Sequence, residues 1–140
     1  MNSDKAVYTG FEFEAEGYPA IAIINRDLKD LGNRSQYDHS VFVSIVPDTY
    51  NEFGHPEEAE YEYLNTVEKA IIEYLESQTK TVHVGHITLY RKREIIFYTA
   101  APESVENYLN GYMPSIEREC YADIEEDPDW EDVSAFYEQL

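Results

Sequence analysis

Val41-Phe42-Val43-Ser44-Ile45-Val46 is apolar at odd and at even positions. A strand sends successive side chains to opposite faces, so this run expects cover on both. Pro47 ends it, since proline has no amide to give a ladder. Farther along, Glu94-Ile95-Ile96-Phe97-Tyr98-Thr99 repeats the pattern. The two runs read as the central strands of one sheet.

The segments around them set the topology. Pro56 opens the longest helix, with Glu57, Glu58 and Glu60 near its first turn, where the helix dipole favours acids. Tyr63, Leu64, Val67, Ala70, Ile71, Tyr74 and Leu75 recur at three and four and predict its buried stripe; Glu62, Lys69, Glu73 and Glu76 lie opposite. Thr81 to Tyr90 is a strand, with Gly85 placed for a bulge, and Arg91-Lys92-Arg93 is a tight basic turn. Pro102 opens a short helix through Val105, Tyr108 and Leu109 that closes at Asn110-Gly111. Glu117 to Ile124 is a last, mixed strand. From Val41 onward the order is strand, helix, strand, strand, helix, strand. That is the ferredoxin-like βαββαβ order, which places its first and third strands centrally.

Two additions flank this unit. Val7 to Glu16 alternates, with Val7, Thr9, Phe11, Phe13 and Ala15 on one face. Glu16-Gly17-Tyr18-Pro19 turns it into a second strand, Ala20 to Asn25, giving an N-terminal β-hairpin. Arg26 to Ser40 is a polar loop with room for one helical turn. At the other end, Asp127 caps a terminal helix and Pro128 takes its first position. Trp130, Val133, Phe136, Tyr137 and Leu140 form its buried stripe. The predicted class is α+β: a ferredoxin-like sheet with an added hairpin and a C-terminal helix, in one domain over 1–140. A ferredoxin-like sheet usually carries helices on one face, so the terminal helix, or a partner, is needed on the other.

The composition narrows function. The chain has 29 acidic and 10 basic residues, a net charge of −19 on 140 residues. Its field repels nucleic acid and anionic membrane and attracts basic partners. With 43% hydrophobic residues and 13 tyrosines it still has the material for a core. One cysteine, Cys120, excludes an intrachain disulfide and suits the cytoplasm. Met1-Asn2-Ser3-Asp4-Lys5 is not followed by a signal-peptide apolar run, and no segment reaches the roughly 20 apolar residues of a membrane span.

Few side-chain groupings suggest chemistry, and no cofactor is implied. His83 and His86 are three apart, so a regular strand points them to opposite faces and forbids a shared metal unless Gly85 bulges the strand. No metal site is expected. Glu12, Glu14 and Glu16 read first as the solvated face of the hairpin. Asp123, Glu125, Glu126, Asp127, Asp129, Glu131 and Asp132 form the densest acidic run, without the spacing or glycine of a calcium-binding loop. Arg91-Lys92-Arg93 reads as a soluble hairpin tip, or as a receptor for an acidic segment in cis or from a second copy. Cys120 reads as a half-buried structural thiol. Nucleophile elbows, phosphate loops, dinucleotide fingerprints and CxxC pairs are absent from the sequence.

Val84-Gly85-His86-Ile87-Thr88-Leu89-Tyr90 followed by Arg93-Glu94-Ile95-Ile96-Phe97-Tyr98 resembles the central pattern of an uncharacterised bacterial family, domain of unknown function 695. Gly17-Tyr18-Pro19-Ala20, Gly54-His55-Pro56 with Glu57 and Glu58, and Asp127-Pro128-Asp129-Trp130 fit the same family in order. The chain departs from the pattern at His86, where a basic residue is expected, and at Tyr90-Arg91-Lys92, where a glycine turn is commoner. The resemblance carries over no catalytic residues. It implies a distant likeness to the regulator of ribonuclease E inhibitor B type, small acidic ferredoxin-like proteins that act by binding another protein.

Three functional readings follow. The first is a cytoplasmic, non-catalytic regulatory or inhibitory module for a basic protein partner, with Asp123, Glu125, Glu126 and Glu131, then Glu12 and Glu14, as its contact residues. The second is a small-ligand binder or enzyme with a pocket joining His86, Arg93 and Tyr98, and His83 beside them. The third is a homo-oligomer that buries an exposed sheet face against its copy.

Overall fold

The computed structural model describes residues 5–140, so the reading of Met1 to Asp4 lies outside the described residues. The protein is mixed α+β, with strands β1 (Tyr8–Ala15), β2 (Tyr18–Asn25), β3 (His39–Ile45), β4 (Thr81–Leu89), β5 (Lys92–Thr99) and β6 (Cys120–Glu126). The helices are α1 (Glu58–Gln78), α2 (Pro102–Tyr112) and α3 (Ser134–Glu138). The strands form one antiparallel sheet in the order β1-β2-β4-β5-β3-β6. The two doubly apolar runs, β3 and β5, are interior and pair with each other from His39–Thr99 to Ile45–Arg93.

Each face has its own core. On one, Leu64, Val67, Ile71 and Leu75 of α1 and Val105 and Leu109 of α2 cover Val41, Val43, Ile45, Ile95 and Phe97. On the other, Trp130, Val133 and Tyr137 cover Ala22, Ile24, Val82, Val84, Ile96 and Tyr98. The C-terminal segment therefore supplies the second cover that the central strands require. Each large side chain buried this way contributes about 1.5–3 kcal/mol.

Several local expectations need correction. Tyr18 and Pro19 belong to β2, not to the turn. Pro19 is tolerated there because β2 pairs with β4 only from Ile21 to Ile24, which leaves that side of Pro19 open. The polar stretch from Arg26 holds two 3₁₀ turns, Arg26–Asp30 and Arg34–Gln36. Helix α1 starts at Glu58, two residues after Pro56. Lys92 and Arg93 lie in β5, leaving Arg91 in the turn. Helix α2 runs through Gly111 to Tyr112, whose ring stacks on Tyr108 with centroids 5.5 Å apart.

The largest correction is at the C-terminus. Trp130 sits at φ 57°, ψ 40°, which no right-handed helix passes through, so helical structure starts only at Glu131. Asp127 causes this. Its carboxylate accepts from the Glu131 amide (2.9 Å), the Asp132 amide (3.1 Å) and the Tyr98 hydroxyl (2.6 Å). The chain is drawn into a tight turn that drops Trp130 onto Tyr98, with rings stacked at 4.2 Å, and lets its indole N–H donate to the Tyr37 carbonyl at 2.9 Å. Burial pushes the Asp127 carboxyl up, but the Tyr98 hydroxyl and the two amides outweigh it and hold it below its ordinary value.

Stability from Asp127 is thus fully present above about pH 4 and fades as pH falls through its depressed folded value. The substitution Asp127→Ala is expected to lower stability by about 1–2 kcal/mol at pH 7. In urea titrations at descending pH, the gap to the parent protein should narrow. A gap that persists undiminished in acid would contradict this role.

A second clip joins α1 to the start of β6. Arg118 donates to both oxygens of buried Glu60 at 2.7 Å, and the Asp48 amide donates to the same carboxylate at 2.7 Å. The Arg118 hydrogen bond holds the Glu60 carboxyl down against the opposing effect of burial.

Candidate functional site

Gly85 makes the site possible. In the β4–β5 ladder His83 faces Phe97, Gly85 faces Ile96, and Val84 is the extra residue. This bulge shifts the alternation by one, so His83 and His86 both point to the α1 face. Gly85 has φ 148° and lies against β2; a Cβ there would meet the Ile23 carbonyl oxygen at 1.8 Å. Only glycine fits this crossing of strands.

Helix α1 answers with a carboxylate. Glu68 is one residue past Val67 and four past Leu64, within the buried stripe, and is 5% exposed. It receives His83 Nε2 at 2.9 Å and His86 Nδ1 at 2.8 Å and 3.0 Å to its two oxygens. Arg93 Nη1 donates to it at 3.3 Å and to Asn65 at 2.7 Å. The Arg93 guanidinium lies 5.2 Å from the centre of the Tyr61 ring, 1% exposed, with Nε and Nη2 lacking a hydrogen-bond partner. Burial raises the Glu68 carboxyl, but the hydrogen bonds that His83 and His86 donate to it prevail and hold it far below its ordinary range. Burial lowers Arg93, and Glu68 opposes this.

An ionised carboxylate only accepts, so His83 carries a proton on Nε2 and His86 on Nδ1. His83 Nδ1 is then free to accept from the Tyr8 hydroxyl at 2.8 Å. In the neutral ring held this way, His86 Nε2 is the lone-pair acceptor. The cluster borders a cleft of about 270 Å³ between α1 and the β2–β4 pair, walled by Ile23 and Ile72. The ring nitrogens and carboxylate oxygens bond to one another rather than converging on a common point. Accordingly, no group of three or more His, Cys, Asp or Glu among the described residues is arranged to hold a metal.

The pocket expected from sequence is half assembled. His86, His83 and Arg93 do meet, but Tyr98 lies on the opposite face, stacked on Trp130 and bonded to Asp127. Arg93 and Tyr98 are five apart on a regular strand, and that parity separates them. Burial and the bond to Asp127 push the Tyr98 hydroxyl well above its ordinary value. The residue missed was Glu68. Its signal was a carboxylate among the apolar positions of α1.

The carboxylates that the sequence offers for partner contact divide between the two edges of the sheet. Asp123, Glu125 and Glu126 lie on edge strand β6 and Glu131 in the turn beyond it, all exposed. Glu12 and Glu14 lie on edge strand β1, five strands away, roughly 24 Å at the usual spacing. Following the registers, Glu12 aligns through Ile21, Thr88, Arg93 and Ile45 on the α1 face, whereas Asp123 aligns through Phe42 and Ile96 on the other. Glu16 sits in the hairpin turn, and Asp127 is buried as a structural cap. Burial raises the half-buried Cys120 thiol, which points it away from nucleophilic use.

Fold and site together define an acidic α+β protein with a buried carboxylate–histidine–arginine cluster beneath a small cleft. No helix among the described residues is long and apolar enough to cross a membrane. The chain belongs to the family of unknown function DUF695, whose profile matches residues 10–137. No curated protein and no solved structure matches it.

Proposed function

We propose that the protein is a non-catalytic binding module, a cytoplasmic regulator or inhibitor whose β6 end engages a basic protein partner. One observation carries this reading. Four exposed carboxylates, Asp123, Glu125, Glu126 and Glu131, cluster on and just beyond an edge strand that, among the described residues, pairs only with β3. An open edge accepts an added strand, and its charges disfavour a second acidic copy while favouring a basic segment. The order β4-β5-β3-β6, with α1 and α2 on one face, supports a ferredoxin-like reading of the unit after Val41. Nucleases are a fitting partner class, since their substrate channels are basic.

Reversing the four charges to lysine is expected to weaken partner capture by roughly 100-fold or more at low salt. Reversing Glu12 and Glu14 should leave capture intact, because they occupy the far edge of the sheet. Capture unaffected by the fourfold reversal would contradict the assignment.

A further inference from the structure

We propose that the cleft between α1 and the β2–β4 pair binds a small organic amine, with His86 Nε2 accepting a hydrogen bond from its nitrogen. This inference is independent of the partner-binding reading, since it uses none of the acidic edge residues. It rests on which polar atoms lining the cleft remain once Glu68, His83 and His86 have bonded to one another. Both Glu68 oxygens receive histidine N–H groups, and Arg93 adds a third donor. Both His83 nitrogens are engaged, by Glu68 and by Tyr8. His86 Nδ1 is held by Glu68, and Nε2 of this partly exposed ring makes no hydrogen bond to another described residue.

The orientation of His86 is imposed. A carboxylate that clamps Nδ1–H fixes both tautomer and ring plane, and so presents a lone pair at Nε2. A complementary ligand therefore donates a hydrogen bond. Ile23 and Ile72 offer hydrocarbon on the walls, so the ligand also needs an apolar body. A carboxylate or phosphate ligand would set lone pair against lone pair at Nε2. Arg93, a buried cation whose Nε and Nη2 lack partners, is turned to Asn65, Glu68 and the Tyr61 ring and does not line the cleft. Between neutral and cationic donors, the charge of −19 favours the cation.

The test uses the full chain at pH 8 and low ionic strength, with three probes of similar size: 2-phenylethylamine, 2-phenylethanol and 3-phenylpropionate. Long-range ¹H–¹⁵N spectra of the histidine rings and the methyl signals of Ile23 and Ile72 are followed during titration. The free protein should show His86 protonated at Nδ1. The amine should shift His86 Nε2 and the Ile72 methyl groups saturably, at least tenfold more tightly than the alcohol, while the carboxylate leaves both in place. Filling the cleft with Ile72→Trp should abolish the shift. The proposal is overturned by His86 protonated at Nε2, by no saturable response to the amine, or by equal or tighter binding of either other probe.

Discussion

Replacing Glu68 with alanine is expected to lower stability by about 3–5 kcal/mol at pH 7, the usual penalty for removing one partner from a buried charged network. Arg93 explains the size. Its side chain is 1% exposed and two of its nitrogens already lack partners, so Glu68 is the anion that compensates it. A guanidinium does not shed its proton at accessible pH, so the positive charge would remain buried. His83 and His86 would lose their shared acceptor at the same moment. Glu68→Gln keeps the volume but not the charge, and should be milder while still well destabilised. The pH dependence has a definite sign. Because the Glu68 carboxyl is held far below its ordinary value, its contribution is complete above about pH 4.3 and lost only as pH falls through the depressed folded value. Urea unfolding at pH 7 measures the effect as a fall in midpoint at unchanged slope. A loss under about 1 kcal/mol would show that the cluster is not a coupled network.

Gly85→Ala is the second large effect, expected at about 3–5 kcal/mol from the sum of backbone strain and overpacking. The added methyl would sit 1.8 Å from the Ile23 carbonyl oxygen and 2.9 Å from its carbon, both backbone atoms that a rotamer change cannot move aside. The β2–β4 pairing must open or the bulge must flatten. A flattened bulge would return His83 and His86 to opposite faces, and one of them would leave Glu68. The damage should therefore be local. Amide exchange should accelerate in β1 and β2 more than in β3 and β5, and the ring signals of one histidine should lose the mark of its bond to Glu68. Uniform exchange and unchanged histidine signals would contradict this account of the bulge.

What the sequence revealed and concealed divides along local and non-local lines. The apolar runs of β3 and β5 disclosed their interior positions because two-sided burial leaves its mark in each strand alone. The hairpin alternation and the α1 stripe were legible for the same reason. Gly85 could be seen as a bulge, but the consequence, two histidines meeting one carboxylate, required knowing that α1 lies across β4. Glu68 escaped notice because a charged residue beside a stripe is ordinarily solvated; here its three partners come from β4 and β5. Grouping Tyr98 with Arg93 failed on a local rule, the parity of a regular strand. The acidic sets of β1 and β6 looked alike in sequence because strand order, which puts them on opposite edges, is set by pairing between distant segments. The terminal helix was read from a proper capping signal. Asp127 does cap, but its bond to Tyr98 reshaped the turn and delayed the helix.

The most direct test of the proposed function is capture of partners from the native host by the tagged full chain at low salt and again at about 0.5 M salt, where the screening length falls to a few ångströms. A basic protein should be retained at low salt, released at high salt, and lost at low salt when Asp123, Glu125, Glu126 and Glu131 are reversed to lysine. A partner held equally at both salt concentrations and by the reversed variant, or no partner at either, would contradict it.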